Sequence, residues 1–280
     1  MPPTSVSRAD AEGLCSDRGD PSNVLRARHG GSPRFCVHHP VMQDPIEILY
    51  QDSHYVAIRK PPGVLVHRTA ISQDRTFVLQ QLRDQLGRRV YPVHRLDRAT
   101  SGVLVFALSP EAARRLVAAF TERRVSKGYL AVVRGYAAPR GLIDRPLSTA
   151  SGGSSTQSAI TRFRRLATVE LPYAVSRYPT ARYSLVLARP ATGRQHQLRR
   201  HFSGADHPIV GDTTYGDGSH NRFFREQFGH YRLLLMARSL AFVHPFTHRS
   251  LLITAPLDAS WRELLDQLGW SHVGRRDGGP

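Results

Sequence analysis

Apolar residues along this chain fall in short clusters separated by turn-forming residues. ILYQD (residues 48–52) is followed by HYVAIRK (54–60) and then PPG (61–63). That order predicts strand, turn, strand and turn. In RTFVLQQLRDQL (75–86), Phe77, Val78, Leu82 and Leu86 lie near one side of a helix that Gly87 ends. VLVFAL (103–108) is an unbroken apolar run and predicts a buried strand. Ser109 and Pro110 then suit the N-cap and first turn of a helix over EAARRLVAAF. Further strands are expected at 129–135, 183–190, 242–244 and 251–254. A last amphipathic helix is expected over ASWRELLDQL (259–268).

Residues 1–44 show no such periodicity and are rich in Ser, Pro, Arg, Asp and Gly. They read as a flexible extension before an ordered domain at 45–270, with 271–280 as a fraying tail. STASGGSSTQS (148–158) reads as a loop. No internal repeat is evident. Strands and helices mixed without regular crossover units predict an α+β fold rather than a doubly wound sheet.

Charge sharpens the picture. Of the 280 residues, 39 are Lys or Arg and 22 are Asp or Glu, a formal net charge of +17. Arginines and acids cancel over residues 1–44, so the excess lies on the domain. Such a charge attracts polyanions, RNA or DNA first. Only two residues of the basic set are lysines, Lys60 and Lys127. There is no 18-residue uncharged apolar run, and the first residues lack a signal-peptide pattern, so neither a membrane span nor secretion is expected. Cys15 and Cys36 form neither a metal cluster nor a disulfide framework, and a reducing cytoplasm is the expected compartment.

The most informative stretch for chemistry is YPVHRLDRATSGVLVFAL (91–108). His94, Arg95, Asp97 and Arg98 fall between two predicted ordered elements. A carboxylate among cations stays ionised, as a nucleophile or base requires. The plainer reading is a surface Arg–Asp network. His94 and Asp97 have no clustered partners for zinc, and magnesium would want several carboxylates, so no metal is expected. There is no P-loop, and the glycines of GDTTYGDG (211–218) follow no clear strand and enter no helix at the spacing a nucleotide fingerprint needs. A second basic patch, TGRQHQLRRH (192–201), holds Arg194, His196, Arg199, Arg200 and His201. These side chains suit phosphate contacts, or one turns inward to pair with Asp97; the alternative is a solvated strand–helix junction. Tyr129 reads either as half-buried packing or as a platform under a flipped base.

HRLDRATSG with the later TGRQHQLRRH resembles the RluA-type family of pseudouridine synthases. RVSKGYLAVVRG, ADHPIVGDTTYGD and HPFTH match as well, so the resemblance runs from about Glu47 to the last helix. It implies a curved, mostly antiparallel mixed sheet with flanking helices and an RNA cleft across it. It also implies cofactor-free isomerisation of a uridine already in RNA. The C1′–N1 bond breaks, the uracil turns, and C5 joins C1′. By motif, Asp97 would be the catalytic carboxylate and Tyr129 the active-site tyrosine. Arg199 would be the partner of Asp97, with Arg194 the other claimant. Arg95 would fill the gap left by the flipped nucleotide, and Leu198 and Ile209 would line the uracil pocket. His94, Arg98, Arg194, His196 and Arg200 complete the expected RNA-contacting set, His94 chiefly by ordering its loop. The likeness is strongest to members acting on tRNA at position 65. A 23S ribosomal RNA substrate and a non-catalytic RNA-binding protein are the competing readings. A DNA-binding regulator lacks a helix-turn-helix or finger pattern. With no coiled coil in view, a monomer is expected. Gly128, before Tyr129, departs from the family's usual larger residue and is expected to loosen the local backbone.

Overall fold

A computed structural model describes residues 45–67, 77–149 and 155–273. It starts with β1 (Ile48–Gln51) and β2 (Tyr55–Lys60), joined by a turn in which Asp52 Oδ1 accepts from the backbone N–H groups of His54 and Tyr55, both at 2.7 Å. Helix α1 (Val78–Leu86) ends at Gly87 in the left-handed region, φ 61°. After β3 (Tyr91–Pro92) comes β4 (Ser101–Ala107), in which all seven residues are buried. Helix α2 (Pro110–Thr121) starts as expected, with Ser109 Oγ accepting from the Ala112 N–H. Then follow β5 (Ser126–Arg134), β6 (Arg140–Asp144), β7 (Leu147–Ser148), β8 (Thr156–Gln157), β9 (Ile160–Leu171) and β10 (Ala181–Pro190). Helices α3 (Gln197–Gly204) and α4 (Gly218–Phe228), strands β11 (Leu235–Val243) and β12 (Ser250–Thr254), and helix α5 (Ala259–Gln267) complete the domain.

Ten strands form one sheet in the order β1-β2-β4-β11-β5-β10-β9-β6, with β12 on β11 and β3 on β4. Pairing is antiparallel except where β11 meets β4, with Met236 opposite Ser101 and Ala237 opposite Gly102. The α+β class with a mostly antiparallel mixed sheet is thus the observed one. Gly102 explains its own identity. Its φ is +111°, and a Cβ there would sit 2.1 Å from the Ala237 carbonyl oxygen. The two strands therefore approach over a bare backbone.

The largest apolar cluster includes Tyr55, Val105, Leu116, Tyr183, Phe224 and Trp261. A second forms around α1, with Val56, Ile58, Leu82, Leu104 and Phe106. A third lies beneath α3 and holds Val133, Val186, Leu198, Phe202 and Ile209. Full burial of each such side chain stabilises by about 1.5–3 kcal/mol.

Some elements differ from expectation. The stretch read as a loop, 148–158, holds part of the two-stranded β7–β8 pair, and its residues 150–154 lie outside the described residues. Strand β11 begins at Leu235, well before the expected 242. Helix α4, not among the expected helices, starts at Gly218 and is capped by Asp217 Oδ1 on the Ser219 and His220 N–H groups. The expected tail boundary also moves, since Val273 is buried beside Trp270. Residues 1–44, 75–76 and 274–280 lie outside the described residues. Among the described residues no helix is long and apolar enough to cross a membrane.

Candidate active site

HRLD lies in the loop between β3 and β4, where the buried β4 gives it a rigid base. A second clamp comes from the β2 end. Lys60 is fully buried, and its Nζ donates to three carbonyl oxygens: Pro61 at 2.9 Å, Arg98 at 3.0 Å and Thr100 at 2.8 Å. Gly63 N–H donates to Arg98 O at 2.8 Å, and Arg98 Nε returns a bond to Gly63 O at 2.9 Å. The KPPG turn therefore holds the backbone on the C-terminal side of Asp97. Burial pushes the Lys60 amine down to about 7, the Asp97 charge working against that shift and Arg98 adding to it.

Asp97 faces a cavity of about 890 Å³, large enough for a nucleoside. Its wall includes Arg95, Tyr129, Lys127, Arg194, His196, Leu198 and Leu235. Strand β5 supplies Tyr129. Burial raises its hydroxyl pKa well above the ordinary value, and the Asp97 carboxylate adds to the effect. Lys127, two residues earlier, donates to Thr192 O at 2.9 Å and so ties β5 to the opposite wall. Between them, Gly128 has a packing reason. A Cβ there would sit 2.5 Å from Ser239 Oγ on β11, so the missing side chain makes room for a neighbour.

The TGRQHQLRRH segment is built mostly for structure. Gln197 Oε1 accepts from Thr192 Oγ1 at 2.7 Å and Arg194 N–H at 3.0 Å. Its Nε2 donates to Ile160 O and Thr161 Oγ1, both at 3.0 Å. His201 is fully buried between Thr161 Oγ1 and Arg145 O. His196 takes φ 53°, which turns its ring toward the cavity. Its Nδ1 is 3.1 Å from Tyr215 Oη, and its Nε2 is 3.9 Å from Asp97 Oδ1. Burial lowers the His196 pKa, Asp97 opposing and Arg199 reinforcing that shift.

Arg199 corrects one expectation. It was expected to pair with Asp97, but both arms of its guanidinium bind Asp212, Nε to Oδ2 and Nη2 to Oδ1, each at 2.7 Å. Asp212 also accepts from the Thr214 and Tyr215 N–H groups. A bidentate carboxylate with both oxygens engaged satisfies the guanidinium better than Asp97 across the cavity. Arg199 still lines the cavity and contributes its charge there. Within ion-pair reach of Asp97, among the described residues, stands only His196.

The other expected residues divide. Arg95 is exposed and on the cavity wall. Arg194 is also on the wall, with Nε on Ser158 O at 3.1 Å. Leu198 lines the cavity, whereas Ile209 does not. It is 1% exposed and sits in the core behind, bridging to Val133. His94 turns its Nε2 inward as acceptor for the Val105 N–H at 3.0 Å and stacks on Phe120, although its outer edge reaches the cavity. Burial pushes it down to about 3, with Lys127 adding to the shift, so it is a neutral loop-ordering group. Arg98 leans on the KPPG turn and Arg200 binds Ser148, so neither forms the wall. Lys60, Lys127, Asp212 and Tyr215 were not singled out by sequence for the site. Among the described residues no group of three or more His, Cys, Asp or Glu is placed to hold a metal.

A carboxylate, an aromatic ring, an apolar wall and surrounding cations suit a planar base on a phosphodiester backbone. The RNA pseudouridylate synthase family model matches residues 54–204, which include Asp97, Tyr129 and Arg199. Over 235 residues the chain is 48% identical to tRNA pseudouridine synthase C of Vibrio parahaemolyticus, covering 80% of this chain and 96% of that protein. The Haemophilus influenzae protein of the same name is 48% identical over 238 residues, covering 81% of this chain and all of the relative. Among solved structures, human RNA Pseudouridylate Synthase Domain Containing 1 superposes with a TM-score of 0.62 at 28% identity, over 84% of this chain and 96% of that one. A cavity centred on HRLD and a family match across that loop lead to one conclusion: the chain belongs to the RNA pseudouridylate synthases, isomerases that turn a uridine of RNA into pseudouridine.

Proposed function

We propose that the chain isomerises a uridine of tRNA, at position 65, with Asp97 as its catalytic carboxylate. The observation that carries the chemistry is the placement of Asp97. It is a partly exposed acid on a doubly clamped loop, opposite Tyr129, and among the described residues no short ion pair occupies its oxygens. The tRNA assignment draws on two relatives named for that substrate, each at 48% identity over nearly its full length.

The target nucleotide leaves its stack and enters the cavity, which costs a few kcal/mol. Tyr129 and Leu198 replace part of the lost stacking, and Arg95 occupies the vacated space. Asp97 then acts on C1′, on the base, or on the 2′ proton; each route begins from the same carboxylate. The C1′–N1 bond breaks, the uracil turns within the cavity, and C5 bonds to C1′. The proton lost from C5 balances the one gained at N1, so no atom is added. We infer a monomer in the cytoplasm as the working form.

The test is site-resolved pseudouridine mapping of total RNA from a deletion strain complemented with wild type or Asp97→Asn. One tRNA position should lose its modification and regain it only with wild type. Loss at a ribosomal uridine would overturn the tRNA reading. Restoration by Asp97→Asn would overturn the role of the carboxylate.

A further inference from the structure

The end of the large sheet carries a second basic surface, turned away from the cavity. In β9, Thr161 and Phe163 face α3. Thr161 Oγ1 contacts His201 and Gln197, and the Phe163 ring meets Phe202 with centroids 5.5 Å apart. Alternation along a strand therefore sends Arg162 and Arg164 to the opposite face. The register sets Arg162 directly opposite Arg189 of β10, and Arg164 directly opposite Arg140 of β6. All four arginines are exposed.

Two directly opposed arginine pairs work against the sheet, because like charges in that position repel. Neighbouring arginines are tied back to protein: Arg165 to Ala137 O, Arg145 to Gly204 O and Arg194 to Ser158 O. By contrast, among the described residues no carboxylate pairs with Arg140, Arg162 or Arg189. The face also meets the cavity rim. Strand β10 runs from Arg189 into Pro190, and Ala191 and Thr192 follow; all three line the cavity.

We propose that Arg140, Arg162, Arg164 and Arg189 form a phosphate-binding surface for the same RNA whose uridine enters the cavity, so that the substrate wraps the β6 edge of the sheet. The proposal rests on the chain acting on RNA and takes its partner from charge complementarity. Cations held about 5 Å apart across strands bring several phosphates under one field.

The test replaces Arg140, Arg162 and Arg189 together by glutamine. A control replaces Arg114, Arg222 and Arg262, exposed arginines on α2, α4 and α5, which changes the charge equally. Binding to a 20-base-pair RNA duplex is measured against salt. The plot of log affinity against log salt should flatten by roughly two units for the sheet variant. Affinity at low salt should fall about tenfold, while the control keeps the wild-type slope. With substrate RNA, KM should rise and kcat at saturation should hold. An unchanged slope and KM would overturn the proposal, as would an equal loss in the control. Self-association of the sheet variant with intact RNA binding would mark these arginines as protection of a sheet edge, and would overturn it too. The duplex needs no target uridine, so a failed tRNA assignment would leave this result standing.

Discussion

Replacing Asp212 by asparagine separates structural from catalytic readings of Arg199. In the fold the Arg199 side chain is 9% exposed and that of Asp212 is 1% exposed, joined by two bonds of 2.7 Å. Asparagine keeps one oxygen for the Thr214 and Tyr215 N–H groups but turns an amide donor on the guanidinium. Breaking a buried pair from one side costs about 3–5 kcal/mol. For a domain of this size that lowers Tm by roughly 6–20 °C. A lysine at 199 keeps the charge and loses one bond, at about 2 kcal/mol. The double variant Arg199→Met, Asp212→Asn leaves no orphaned charge and should recover about 2 kcal/mol over Asp212→Asn alone. Urea unfolding at pH 7.5, run beside an isomerisation assay, reads all of these. Acid adds a signed check. Burial pushes the Asp212 carboxyl up, but Arg199 and the two N–H donors outweigh it and hold the group below its usual value. Its contribution is therefore full above the unfolded pKa and is lost as pH falls through the folded one. If Asp212→Asn costs under about 1 kcal/mol yet abolishes turnover, the structural reasoning fails and Arg199 belongs with Asp97.

Gly102→Ala should be worse than its size suggests. The new Cβ meets the Ala237 carbonyl at 2.1 Å with φ at +111°, so β4 and β11 must part. A loss above about 3 kcal/mol is expected, visible as a collapsed melting transition and absent activity. A melt within a few degrees of wild type would refute the close-approach argument. Histidines set a second acid response. Burial pushes His94 down to about 3 and His230 to about 4, so both stay neutral in the fold while the unfolded chain protonates below about 6.5. Each then removes up to about 1.4 kcal/mol of stability per pH unit lost below that point. Unfolding free energies measured from pH 7.5 to 5 should slope accordingly, and a flat profile would contradict these buried neutral rings.

Local signals were legible and long-range competition was not. Helix α2 is announced by its own cap, and β4 by its own apolar run, so both were readable within a few residues. Asp97 was readable because its neighbours in HRLD lie beside it in sequence. The partner of Arg199 lies 13 residues away, in GDTTYGDG, whose glycines are its plainest sequence signal. No local pattern reveals which of two carboxylates a buried guanidinium will reach. Strand β9 was hidden for a different reason. Three arginines interrupt its first half and most of its apolar residues are only half-buried, so no clear apolar alternation appears. Lys60 had a signal that went unread. In a chain of arginines, two lysines stand apart, and both donate to carbonyls beside the cavity. A compact ammonium fits among three carbonyls where a planar guanidinium would not.

The strand order also sets a schedule for the newborn enzyme. Asp97 hangs from β4 and Tyr129 from β5, yet these strands do not pair; β11 lies between them. The tyrosine and the carboxylate therefore come to face each other only after residues 235–243 have left the ribosome and slipped into the gap. Pairings of such long sequence separation form slowly. Until then β4 and β5 expose open edges, so a nascent chain stalled before Leu235 carries both motifs but neither a closed sheet nor a working cavity.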